Sequence, residues 1–105
     1  MVRGETINYM IKLNKLAAQC LKTFLRKGVI NQSSSSKVLV AIISADWRRL
    51  WGATKHKSES NPHYSEREDA AADVIISAVT YLQYIGCDSI EDLLRQKIED
   101  LSSDK

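Results

Sequence analysis

The sequence predicts an all-α protein, a four-helix bundle that assembles into an oligomer. Three observations predict it. Apolar residues recur at three- and four-residue spacing in four separate segments. No two-residue alternation is sustained, so no strand is expected. Glycine and proline, 4 and 1 of the 105 residues, lie outside those segments. A chain of 105 residues has the size of one domain, here spanning residues 1–105.

The first segment predicts a helix from Thr6 to Arg26. Ile7, Met10, Ile11, Ala17, Leu21 and Leu25 form its stripe, and Gly28 is its stop. The polar connector "VINQSSSSK" follows. The second helix runs from Ser36 to Trp51, with Ser35 or Ser36 as cap and Gly52 as stop. Val38, Ile42 and Ile43 make its apolar face. Trp47 and Trp51 stack one turn apart, in the manner of core or interface packing. "ATKHKSESNPHY" is the longest loop and is expected to be the most mobile.

The third helix, "EREDAAADVIISAVTYLQYIG", begins with a capping box of Ser65 and Glu68 and stops at Gly86. Apolar residues from Ala70 to Ile85 spread around most of it. Such a helix needs cover on several sides, more than one small bundle offers, which predicts a homodimer or larger. The fourth helix starts at Asp88 or Ser89 and runs to Leu101. Ile90, Leu93, Leu94, Ile98 and Leu101 are expected to face inward.

With 15 basic and 13 acidic residues the net charge is +2, too balanced for a nucleic-acid binder driven by bulk charge. Cys20 and Cys87 are far apart and form no C-x-x-C pair, which argues against a disulfide framework. The N-terminal stretch has no apolar signal core, and no run approaches the ~18 apolar residues of a membrane span. A soluble, cytoplasmic protein is expected.

Carboxylates carry the chemistry. Glu66, Asp69 and Asp73 share one face of the third helix, continued by Ser77, Thr80 and Tyr84. Asp46 lies beside the apolar face of the second. Facing helices that each offer carboxylates can hold Mg²⁺, which binds through oxygen ligands. The helix dipole accounts for Glu66, Glu68 and Asp69 without a metal. Asp73 lies two turns in, among apolar neighbours, and needs a cation there: a metal, Arg48 or Arg49, or Lys97. Lys97 sits inside the apolar stripe of the fourth helix, either snorkelling past the core edge or meeting a phosphate or carboxylate. His56 and His63 have no spaced partner, and neither a phosphate loop nor a dinucleotide fingerprint is present.

"FLRKGVIN", "VAIISADWRRLWGATK" and "DAAADVIISAVTYLQYIGCDSIEDLLRQKI" together resemble the MazG-like, all-α nucleoside triphosphate pyrophosphohydrolases, from Asn14 to Leu101. The resemblance implies an oligomeric helical bundle, dimer or tetramer. It also implies a Mg²⁺-dependent conversion of a nucleoside triphosphate to monophosphate and pyrophosphate. Family metal ligands come from an E-x-x-E motif on one helix and E-x-x-D on the next. Asp46 takes the first position and Arg49 stands where the second Glu is expected. Ala70 stands at the third, with Asp69 adjacent, and Asp73 fills the fourth. Lys97 matches a later lysine, and Leu101 replaces an expected Asn. The resemblance thus implies Asp46, Asp73 and Asp69 for metal, with Lys97 and Arg49 near a nucleotide. The departures imply weakened or lost catalysis. The alternative is a non-catalytic nucleotide-binding or protein-interaction module, in which Arg49 supplies Asp73 with the charge that Mg²⁺ supplies in active relatives.

Overall fold

The computed structural model describes residues 2–103, with side chains from 12 to 103. It contains four helices, α1 (Val2–Arg26), α2 (Ser36–Trp51), α3 (Glu66–Tyr84) and α4 (Ile90–Ser102). Among the described residues the only extended pairing is an isolated bridge between Lys57 and Ser65. α1 starts four residues before the predicted Thr6. Ile7, Met10 and Ile11 of its predicted stripe lie outside the described side chains.

The ends follow from local chemistry. Ser35 caps α2 by accepting from Lys37 N–H, and Ser65 and Glu68 form the reciprocal capping box of α3. Ser89 caps α4 through Asp92 N–H at 3.2 Å. Gly28 and Gly86 follow α1 and α3 at φ of 75° and 85°, a region that favours glycine.

α3 is the hub. It packs on α1, α2 and α4; α4 also packs on α1, whereas among the described residues the backbone of α2 comes close to neither α1 nor α4. The core is small, with Ala17, Ile30, Leu39, Ala70, Val79 and Ile90 as its buried apolar residues among those described. Ala17, Val79 and Ile90 cluster where α1, α3 and α4 meet, joined by Leu13, Cys20, Leu82 and Cys87. The buried apolar side chain of α2 is Leu39, one position from the predicted Val38, which is exposed.

Burial departs from the predicted stripes in several places. α3, a helix that one small bundle was not expected to cover, leaves part of its apolar surface exposed within the chain. Ile75, Ile76 and Ile85 are exposed, while Ser77 and Thr80 occupy buried places. Thr80 manages this by donating its hydroxyl to Ile76 C=O at 2.6 Å. Of the predicted inward stripe of α4 only Ile90 is buried. Trp47 and Trp51 do stack, with centroids 5.5 Å apart, but on the exposed side of α2. The reason is the same in each case. Each of these faces lies on a helix side that no other helix of the chain covers.

The two connectors are tied down. Tyr84 Oη donates to Ser34 C=O in the first, where Ile30 is buried. The second was expected to be mobile, yet it is bound to the start of α3. Glu66 N–H donates to His56 C=O at 2.8 Å, and Ser58 N–H donates to Tyr64 C=O at 2.9 Å.

Polar bonds at Asn14 add to the apolar cluster in joining α4 to α1. Asn14 Oδ1 accepts from the N–H groups of Ile90 and Glu91, at 3.1 and 3.3 Å. Those donors belong to a helix start and have no partner within their own helix. Asn14→Ala is expected to cost about 0.5–2 kcal/mol, as the loss of a cap does. Urea unfolding reads the loss, and amide exchange should quicken first at Ile90 and Glu91.

Candidate functional site

The site lies along the seam between α2 and α3. Asp46 and Arg49 are one turn apart on α2, and Asp73 and Ser77 one turn apart on α3. The antiparallel packing of the two helices brings the pairs together. Ser77 Oγ donates to Asp46 Oδ2. Arg49 Nη2 donates to Asp73 Oδ2 and lies 3.7 Å from Asp46 Oδ1. One guanidinium therefore serves two carboxylates from neighbouring helices. The hydrogen bond from Arg49 to Asp73 holds the guanidinium more firmly protonated than usual, with the charges of Asp73, Asp46 and Asp69 adding to it.

Asp73 was expected among apolar neighbours. Its side chain instead retains 41% exposure, and Arg49 retains 50%. Tolerating a carboxylate there requires no desolvation on the scale of a buried charge, because water reaches one side of the pair. The pair therefore positions the helices more than it stabilises them; exposed ion pairs contribute about 0.2–1 kcal/mol.

Asp69 points elsewhere. Its Oδ2 accepts from Ser58 Oγ at 2.8 Å and from Ser60 Oγ at 3.1 Å. Ser58 is buried and also accepts from Asn61 N–H at 3.2 Å, so Asp69 organises the second connector. Glu66 does the same one turn earlier, accepting from Thr54 N–H at 3.1 Å and Thr54 Oγ1 at 2.9 Å. These bonds pull the Glu66 carboxyl below its ordinary value of 4.5. Lys97 is exposed on α4, a helix whose backbone does not come close to α2. His56 and His63 are exposed in the connector.

The residues present do not fit Mg²⁺. Among the described residues no three His, Cys, Asp or Glu side chains form a group suited to a metal. Beside Asp46 and Asp73 stands the Arg49 guanidinium rather than a further carboxylate. A hard dication next to a bonded guanidinium meets repulsion as well as too few oxygens.

Beside the seam, a groove of about 570 Å³ runs between α1 and α2 with α3 as its floor. Leu16, Phe24, Ile42 and Ile76 make it mainly apolar, Asp46, Asp73 and Ser77 give it an acidic edge, and Gln19 and Thr23 add polar groups on the α1 side. Cys20 also lines it; burial raises its thiol pKa, against a hydrogen bond with Thr80 that lowers it. The groove exists because α1 and α2 both pack on α3 without their backbones coming close to each other.

Ser58, Ser60 and Thr54 were not legible as site residues. Their roles depend on how the connector folds back, and the only sequence signal was a serine-rich stretch opposite acidic residues. No family model, curated protein or solved structure matches the chain. No helix among the described residues is long and apolar enough to cross a membrane.

The Glu66 bonds carry a pH signature. A carboxyl whose folded pKa is lowered contributes stability above its ordinary 4.5, and that contribution is lost as pH falls through the lower folded value. An NMR titration should therefore place the Glu66 midpoint below 4.5. Thr54→Val should move it part of the way back, since the backbone N–H bond remains. A midpoint at or above the ordinary value would show that the Thr54 contacts do not form in solution.

Proposed function

We propose that this chain is a MazG-like helical bundle in which an internal ion pair has replaced the metal centre, and that it acts as a non-catalytic interaction module. The observation that carries this reading is Arg49. It stands at a family carboxylate position and bonds Asp73, the carboxylate that best matches the family motif. A bidentate-capable, permanently charged guanidinium neutralises that acid at no cost in metal recruitment. What remains of the motif holds α2 against α3. The apolar groove and the exposed apolar faces beside it support interaction rather than turnover, because surface of that kind on a small domain marks contact sites. The reading includes a homo-oligomer in the cytoplasm, and no nucleotide is required for the fold.

Two measurements test it. Incubation with Mg²⁺ and a panel of nucleoside triphosphates should give no pyrophosphate above background. Release that disappears in Asp73→Ala would establish the pyrophosphohydrolase reading instead. The melting temperature of the wild type should not respond to Mg²⁺ or Mn²⁺. Arg49→Glu should respond, because it places a third carboxylate beside Asp46 and Asp73. At a metal concentration 100 times the dissociation constant the stabilisation would be about 2.7 kcal/mol. An equal response of the wild type would show that Arg49 does not displace the metal.

A further inference from the structure

α4 and the groove are both incomplete within one chain. Along α4 the apolar stripe becomes steadily more exposed, from Ile90 at 1% through Leu93 and Leu94 at 39% and 40% to Ile98 at 62% and Leu101 at 83%. The helix leaves its own body as it proceeds. Lys97 falls within that stripe, between Leu93 and Leu101 on the helical wheel. A lysine there suits a surface that meets a carboxylate.

The groove between α1 and α2 has the complementary character. Its apolar walls fit an amphipathic helix, and its edge carries Asp46 and Asp73 against the single charge of Arg49. This edge is short of one positive charge. The α4 of the same chain does not supply it, since its backbone does not come close to α2.

We propose that the occupant of the groove is the α4 helix of a second copy, which seats Leu94, Ile98 and Leu101 between α1 and α2 and brings Lys97 to Asp46 and Asp73. The exchange is reciprocal, so each copy gives one helix and receives one, and a two-fold axis closes the assembly as a dimer. The four-carboxylate logic of a metal site is then replaced by two acids neutralised by Arg49 of the same copy and Lys97 of the other. The proposal rests on the reading above only in that no metal lies between the two carboxylates.

The test is the solution mass of the full chain by sedimentation or light scattering. The wild type should have twice the single-chain mass. Lys97→Glu and Asp73→Lys should each sediment as monomers with helical circular dichroism retained. An equimolar mixture of the two should regain the dimer, because opposite charges then meet across both contacts. A wild-type monomer at every concentration, or a dimer that survives Lys97→Glu unchanged, overturns the proposal. Should Asp73→Lys fail to fold, carbodiimide coupling of the wild type decides. A Lys97 cross-link to Asp46 or Asp73 in the dimer band supports the contact; a dimer band with Lys97 coupled to neither overturns it. Pyrophosphate release would remove the non-catalytic reading and leave the dimer standing, whereas a monomeric wild type would remove the dimer and leave the absence of turnover standing.

Discussion

Among the described residues α3 is the helix on which the other three converge. The backbone of α2 comes close to no helix but α3. The constraint that follows is that one helix must offer a different chemistry on each side. Towards α1 and α4 it offers Val79 and Leu82 to an apolar cluster. Towards α2 it offers Asp73 and Ser77, which meet Arg49 and Asp46. The first contact is held by water exclusion and the second by directional bonds. Their relative geometry is what leaves the groove open.

Polar residues carry an unusual share of this architecture because the apolar core is small. Asn14 satisfies the start of α4, Asp69 gathers Ser58 and Ser60, and Glu66 gathers Thr54. No buried side-chain nitrogen or oxygen among the described residues lacks a partner. Each such bond contributes modestly, about 0.5–1.5 kcal/mol net, yet leaving any of these groups unsatisfied would cost more. Specific placement of helices and connectors therefore depends on these bonds, while the exposed apolar faces provide surface for association.

An ion pair gives the seam a chemistry different from that of a metal centre. A metal centre brings a Lewis acid and a route to an activated water. A guanidinium brings charge and fixed hydrogen-bond geometry and no activated water. Arg49 and Asp73 can hold two helices in register through a fixed charge-assisted bond, since the guanidinium is a permanent cation. Such a device suits recognition better than turnover.

Helix number and type, and the helix ends other than the start of α1, were determined by the sequence itself. Ser35, Ser65 with Glu68, Ser89, Gly28 and Gly86 act within a few residues of their own positions, so local chemistry suffices. The pairing of Arg49 with Asp73 was legible as one of the options, a metal, Arg48, Arg49 or Lys97, that a carboxylate placed among apolar residues left open. What only the tertiary structure decided was which apolar face lies inside. Leu39 rather than Val38, the exposure of Trp47 and Trp51, and the outward stripe of α4 all depend on where the neighbouring helices end up. Periodicity states that a face is apolar, but whether it is buried depends on what stands opposite. The partners of Asp69 and Asn14 were hidden for the same reason. Their bonds join residues distant or folded back in the chain, and no local pattern records which donors will arrive.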